Sequence, residues 1–176
     1  MAKVSICVPT YNNASEVERL LQSVRRQNYT DYEVNISDDS TNEETAELIE
    51  RIIIEWSWQD KLHYIHNEKP LGHIYNWNAA IKMSAGEYIK IMFSDDWFTD
   101  SDSLGTFVSM LDEHPEANLA FSGSMQVLLN GQDIEQVKHL NKQVTEHGNA
   151  YARYAEDAFI ERLHRNYTVS YTHLTL

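Results

Sequence analysis

The sequence predicts an α/β fold: a mostly parallel sheet flanked by helices, with a small antiparallel hairpin in the C-terminal part. Three observations carry this reading. Short apolar runs alternate with helically spaced apolar residues through the first half, two of those runs stop at the acidic pairs Asp38-Asp39 and Asp95-Asp96, and Asn130-Gly131 separates two strand-like stretches. Consecutive parallel strands need a crossover, which the helices between them supply. An Asn-Gly pair tolerates the positive φ angles of a tight hairpin turn.

The elements run in order along the chain. Residues 4–8 form a nearly continuous apolar run that stops at Pro9, as a strand buried on both faces does. Ser15 and Glu18 have capping-box spacing, and Val17, Leu20, Leu21 and Val24 then recur at helical intervals. Residues 32–36 read as the second strand, which ends at Asp38-Asp39. Thr41 with Glu44 offers a second capping box ahead of Leu48, Ile49, Ile52 and Ile53. Residues 62–65 are a short third strand, 74–83 a helix, and 88–93 a fourth strand ending at Ser94-Asp95-Asp96. Leu104, Phe107, Val108 and Leu111 mark a further helix closed by His114-Pro115, and 119–121 is again strand-like. Residues 125–129 and 132–137 flank the Asn-Gly turn, and 150–164 reads as a helix with Tyr151, Tyr154 and Ala158 on its inner face. Residues 168–176 carry no caps and read as a strand or a non-native tail. No repeat, low-complexity tract or linker divides the chain, so 1–176 is expected to be one domain.

Composition narrows the function. With 176 residues, 42% of them hydrophobic, the chain can bury a substantial core. A net charge of -13 and a single basic pairing, Arg25-Arg26, argue against a nucleic-acid partner, because phosphate binding needs clustered Lys and Arg. The lone cysteine, Cys7, lies in an apolar run. It reads as a core residue, excludes an intramolecular disulfide and fits a reducing compartment. No stretch approaches the roughly 20 apolar residues of a membrane span, and the start lacks the apolar segment of a signal peptide. The expectation is a cytoplasmic protein, with peripheral association at the inner face of the membrane left open.

In open α/β sheets ligands bind outside the carboxyl ends of strands, so acidic pairs placed there are placed to hold a ligand or its metal. Two neighbouring carboxylates can bind Mg2+ or Mn2+, which then neutralises phosphate oxygens; without a cation they repel each other. One acidic pair could be an ordinary turn, but two at strand ends of one sheet favour function. Pro9-Thr10-Tyr11-Asn12-Asn13 comes directly after the first strand. Its tyrosine offers a face for a planar base, and Thr10 and Asn12 offer polar edges. A carboxylate at the second strand end can accept the imide N–H of uracil, which neutral cytosine lacks. That makes Asp39 a base reader and Asp96 a metal ligand. His63 and His66 read as boundary residues, Trp56 and Trp58 as core caps, and Trp97 as an aromatic face near the second pair; His73, beside Gly72, is a candidate to meet a ligand's diphosphate.

These segments together closely resemble the family 2 glycosyltransferases of the GT-A, Rossmann-like fold. The resemblance runs through VSICVPTYNN from Val4, VNISDDSTNEET from Val34, Asn67 through Gly72 to Asn78, Ala85-Gly86-Glu87-Tyr88-Ile89, and Ser94-Asp95-Asp96. It implies a nucleotide site of Pro9, Thr10, Tyr11, Asn12, Asp38, Asp39, Gly72, Asn78 and Asp95, and a metal site of Asp96 and Asp95 holding Mn2+ or Mg2+. It implies transfer of a sugar from a UDP-sugar or related nucleotide sugar, with inversion, to the hydroxyl of a carbohydrate or lipid-linked acceptor in polysaccharide or glycolipid synthesis. Two positions depart from the family pattern. Phe93 stands where the first Asp of Asp-x-Asp is usual, and Trp77 stands where many relatives carry Arg.

The resemblance further implies that residues 1–110 are the nucleotide-sugar-binding half and 111–176 an incomplete acceptor-side half, with the general base beyond Leu176. Glu156-Asp157 falls in the expected C-terminal helix and reads as a solvated face. Two alternatives compete. A nucleotide-sugar binding module without catalysis fits the short C-terminal part. A Mg-binding receiver domain would need a phosphorylatable Asp on the third strand and a Lys after the last, and neither is evident.

Overall fold

The structure is a computed structural model describing residues 1–122, 126–130, 133–137, 151–153 and 173–175. Strands β1 (Val4–Thr10) and β2 (Tyr32–Asp38) are buried along their whole length. Each has a hydrogen-bonded neighbour on both edges and helices against the sheet, so the polar residues Ser5, Glu33, Asn35 and Ser37 that stand among the apolar ones are buried too. With β3 (Leu62–His66) and β4 (Tyr88–Ile91) they form a parallel array in the order β3-β2-β1-β4. Val4 lies opposite both Tyr32 and Tyr88, and Val34 opposite Leu62.

The helices are α1 (Ala14–Arg25), α2 (Glu44–Trp56), α3 (His73–Lys82) and α4 (Ser103–Glu113). Period-2 alternation on β1 sorts the layers. Val4, Ile6 and Val8 join the apolar cluster with Leu20 and Val24 of α1, Ile49 and Ile52 of α2, and Leu104 and Phe107 of α4. Ser5 and Cys7 instead meet residues just past α3: the Cys7 Sγ is 3.1 Å from Ser84 Oγ, and Gly86 N–H donates to Ser5 Oγ at 2.8 Å. Burial pushes the Cys7 thiol up to about 11, so it is an inert core group. Trp58 is buried and meets Tyr32 and Trp56 edge-on, as core caps do.

Beyond β4 the sheet turns antiparallel. β9 (His173–Thr175) lies between β4 and β5 (Leu119–Phe121), and β8 (Tyr151–Arg153) pairs with the far edge of β5. The expected hairpin is β6 (Gln126–Asn130) with β7 (Asp133–Val137), Asn130 opposite Asp133. The helix expected over 150–164 is corrected at its start. Residues 151–153 are a strand, because the open edge of β5 offers backbone partners that a short, ambiguous apolar pattern can satisfy. The rest of that range, with Glu156-Asp157, lies outside the described residues, as do most positions of 168–176. Among the described residues no helix is long and apolar enough to cross a membrane.

The expected capping boxes do not form. α1 starts at Ala14 after Asn13, and the Ser15 hydroxyl bonds Glu16 at 2.7 Å; α2 starts at Glu44 after Glu43. Neither helix has a side-chain cap, because Asn13 and Thr41 bond other loops.

At the end of the sheet away from the acidic pairs, the Glu33 carboxylate accepts from Ser5 Oγ (2.7 Å), Ala85 N–H (2.8 Å) and Asn35 Nδ2 (3.2 Å). Burial alone would raise this carboxyl, but the three donors and nearby His63 hold it below its usual range. Its contribution is therefore complete above the unfolded pKa of about 4.3 and is lost as pH falls through the lower folded value. Glu33→Gln should cost about 1–3 kcal/mol at neutral pH and flatten the acid limb of stability, read by urea unfolding across that range. A Cβ at Gly86 would sit 2.7 Å from Ser5 N and 2.8 Å from its Oγ, so backbone has to move to admit one. Gly86→Ala is expected to destabilise by about 1–3 kcal/mol in the same assay.

Candidate nucleotide-sugar site

The parallel strands end together, and the segment leaving each of them is tied to its neighbours. Thr10 closes β1 and is nearly fully buried. Its carbonyl accepts Asp39 N–H at 3.0 Å and Asn76 Nδ2 at 3.0 Å, which joins the exits of β1 and β2 to α3. The Thr10 hydroxyl donates to Asn13 Oδ1, and Asn13 Nδ2 donates to Ser94 Oγ, so one amide links the β1 exit to the acidic turn after β4. Asn12 adopts φ 51°, a left-handed conformation that Asn tolerates better than most residues. Its N–H reaches Ser40 Oγ at 2.8 Å and its Oδ1 accepts Thr41 N–H at 2.9 Å. Between these anchors Tyr11 stands 55% exposed.

The two carboxylates at the end of β2 have separate duties. Asp38 is fully buried. Its Oδ1 accepts from Ser40 N–H (2.9 Å) and Ser40 Oγ (2.5 Å), and its Oδ2 accepts from the Tyr64 hydroxyl (2.8 Å) with His66 Nδ1 3.4 Å away. Desolvation, and then the hydrogen bond to Asp38, drive the Tyr64 hydroxyl far above its ordinary range, so it remains a donor. Asp39 holds the approach to α3: Oδ1 accepts from Asn67 Nδ2 and Oδ2 from Gly72 N–H, both at 2.9 Å. Gly72 has φ +83°, which disfavours any L side chain even though a Cβ would meet nothing within 4 Å.

On α3, Asn76 is the amide turned toward the strand ends; it is buried, and its Oδ1 is 3.4 Å from Asn67 Nδ2. Asn78, the residue singled out from sequence, is exposed. Two residues along a helix is about 200° of rotation, which puts the two amides on different faces. The two positions that depart from the family pattern touch each other. Trp77 and Phe93 have ring centroids 4.8 Å apart, and His73 lies 4.5 Å from Trp77 on the same helix face. Phe93 also accepts Asp96 N–H at 2.9 Å through its carbonyl, closing the turn that carries Asp95 and Asp96.

In that turn Asp95 is exposed, whereas Asp96 is half-buried with Oδ2 sealed from solvent. Trp97 carries the Arg19 guanidinium 5.3 Å above its ring. Under the turn lies Lys90, fully buried, its Nζ 5.4 Å and 5.9 Å from the ring centroids of Phe107 and Phe98. Burial pushes this ammonium down to about 7, against the opposing pull of Asp96. Among the described residues no cluster of three or more His, Cys, Asp or Glu could hold a metal by itself. One or two carboxylates do suit Mg2+ or Mn2+, which take their remaining ligands from water and phosphate oxygens.

A model of Glycosyl transferase family 2 matches residues 5–162. The chain belongs to that family. This family 2 chain is 24% identical over 148 residues to the GalNAc(5)-diNAcBac-PP-undecaprenol beta-1,3-glucosyltransferase of Campylobacter jejuni, covering 81% of this chain and 47% of that protein. It is 31% identical over 118 residues to an abequosyltransferase of Salmonella typhimurium, covering 66% and 34%. Among solved structures it is similar to S. aureus TarS 1-349 in complex with UDP-GlcNAc, with TM-score 0.57, 28% identity and coverage of 66% and 33%. It is similar also to a Pyrobaculum calidifontis mannosyltransferase in complex with GDP-Man and Mn2+, with TM-score 0.61, 25% identity and coverage of 71% and 36%. The chain thus has the GT-A fold and spans less than half the length of these relatives.

The strand-end residues Thr10, Asn12, Asp38 and Asp39 and the loop residue Gly72 form one bonded network, with Asp95 joined to it through Ser94 and Asn13. Asn67, Asn76, Tyr64, His66 and Lys90 carry site geometry to which the sequence pattern alone assigns no role. Asn76→Ala should lower stability by about 1–3 kcal/mol, because it leaves the buried Thr10 carbonyl one donor short. Asn78→Ala is expected to stay within about 0.5 kcal/mol of the parent. Thermal unfolding of the two variants side by side separates the roles.

Proposed function

We propose that this chain is the nucleotide-sugar-binding part of an inverting, divalent-cation-dependent glycosyltransferase that uses a UDP-sugar. The observation that carries the reading is the fixed Asp39 carboxylate, whose own N–H bonds the carbonyl of Thr10, the residue before the exposed Tyr11. With Asn67 and Gly72 each occupying one lone pair, Asp39 has acceptor capacity left for an imide N–H, and Tyr11 supplies a face for the base. Pro9, Thr10 and Asn12 shape that pocket, and Asp38 supports it from beneath. Asp95 and Asp96 lie across Asn13 from it, where Mg2+ or Mn2+ held by carboxylate would meet the diphosphate. The cation would offset charge on the leaving diphosphate while a base from the acceptor side takes the hydroxyl proton.

In this reading residues 1–110 form the donor half and 111–176 part of the acceptor half. The acceptor is a carbohydrate or a lipid-linked glycan, and peripheral contact with the inner face of a membrane suits the second. Relatives named for undecaprenol-linked and poly(ribitol-phosphate) acceptors support that range.

Calorimetric titration of UDP and of GDP, each with and without Mn2+, tests the proposal. UDP should bind in a Mn2+-dependent way and at least about tenfold more tightly than GDP. Asp39→Ala and Asp95→Ala should each weaken it about tenfold or more, a loss of about 1.4 kcal/mol. Tighter binding of GDP would overturn the uracil assignment, and the absence of binding by either nucleotide would overturn the function.

A further inference from the structure

Helix α3 turns an unusual side to solvent. Its buried residues are only Asn76 and Ala80. Ile74, Tyr75, Asn78 and Lys82 fall on the side of the helix away from these two and are exposed. Ile74 is 67% exposed, Tyr75 71%, and Leu71, just ahead of Gly72, 42%. Ile65 on β3 adds a fourth apolar side chain, 45% exposed. It lies opposite Ser37, whose hydroxyl accepts from the same Asn67 amide that reaches Asn76, so Ile65 belongs to the face of the sheet that carries α3. Among the described residues seven large apolar side chains are exposed, and four of them are gathered here. A gathering of this kind marks an interaction surface rather than scattered exposure.

Charge indicates what the surface meets. The chain carries a net charge of -13, yet residues 62–82, from the start of β3 to the end of α3, hold two lysines, three histidines and one acid, Glu68. Lys69 and Lys82 are exposed and make no ion pair among the described residues, which leaves both charges open to an outside partner. Apolar side chains flanked by long cations match the headgroup region of an anionic bilayer. The apolar groups enter the acyl boundary, the lysine stems snorkel, and a tyrosine sits at the water interface. The acidic bulk of the chain is repelled by the same bilayer, which turns this face toward it.

We propose that Ile65, Leu71, Ile74 and Tyr75, with Lys69 and Lys82 beside them, form a docking surface for an anionic lipid bilayer. Its position gives it a use. The Gly72 N–H, next to Leu71, donates to Asp39 at 2.9 Å, so the surface borders the strand-end cleft. The inference deepens the reading of a lipid-linked acceptor, on which that use rests, by naming the face that brings the cleft to the lipid. Four apolar side chains and two lysines give weak, reversible binding that needs both contributions.

The test is co-sedimentation of the full chain with vesicles of phosphatidylcholine alone and of two parts phosphatidylcholine to one part phosphatidylglycerol, with UDP titrated by calorimetry in parallel. The parent should bind the anionic vesicles at least about tenfold more tightly than the neutral ones and lose that preference in high salt. The double variants Ile74→Ser/Tyr75→Ser and Lys69→Glu/Lys82→Glu should each weaken vesicle binding about tenfold, with melting temperature and UDP affinity kept. Ile54→Ser, at a 73% exposed position on α2 against the other face of the sheet, should leave vesicle binding as it was. Vesicle binding that is absent, equal for the two compositions or equal in parent and double variants would overturn the docking surface, whatever UDP does. Dimerisation of the parent in lipid-free buffer, abolished by Ile74→Ser/Tyr75→Ser, would assign the face to a second copy and overturn it too. Anionic-vesicle binding through this face by a parent that binds no UDP would uphold the surface and overturn the nucleotide reading instead.

Discussion

A carboxylate buried at the end of a sheet must be given donors, and the site is arranged around that requirement. Asp38 is sealed from water, and transfer of a charge out of water is tolerable only with hydrogen bonds around it. Ser40 supplies two of them from the loop beyond β2, and Tyr64 supplies a third from the neighbouring strand. Ser40 also takes the N–H of Asn12, so saturating Asp38 fixes the β1 exit as well. The backbone held in this way presents Asp39 toward Asn67 and Gly72 and sets the start of α3. One buried charge therefore determines the positions of three loops, and the Asp39 carboxylate beside it is rigid because its neighbour is.

The parallel strands were legible because apolar residues recur at strand spacing, Val4, Ile6 and Val8 on β1 and Val34 and Ile36 on β2, and each run stops at a turn or an acidic pair. Helix starts were not. Ser15 with Glu18 and Thr41 with Glu44 have the spacing of a capping box, yet tertiary demand for Asn13 and Thr41 moved both boundaries and left the helices without side-chain caps. The placement of the candidate residues was legible at strand ends, where Asp38, Asp39 and Asp95 stand next to recognisable runs. Geometry was hidden where it depends on helix phase, as with Asn76 turned toward the strand ends, or on pairing between strands, as with Tyr64 and His66 against Asp38. Lys90 sits in a strand pattern where a lysine ordinarily signals an exposed face, and only its surroundings show it to be buried.

The aromatic contact between Trp77 and Phe93 gives the two departures from the family pattern a common explanation. A Phe in place of an Asp removes a charge from the mouth of the site, and a Trp in place of an Arg removes the opposite charge. Here the two replacements meet as neighbouring rings that join α3 to the acidic turn. Such a pair works through shape and dispersion, at about 0.5–1.5 kcal/mol beyond its burial, and is insensitive to salt. The link between helix and turn is kept while its chemical basis changes.

The order of strands also bears on how the chain assembles itself. Ser5 reaches Glu33 across 28 residues, but Lys3 reaches Glu87 across 84. Closing the longer span costs about 1 kcal/mol more in chain entropy. The β1–β2 pairing that brings Thr10 beside Asp38 and Asp39 can therefore form on local information, whereas the acidic turn arrives only when β4 docks on the other edge of β1. During synthesis the side of the cleft built by Thr10, Asp38 and Asp39 would be the first to take shape, and the Asp95-Asp96 turn would come once the fourth strand has left the ribosome.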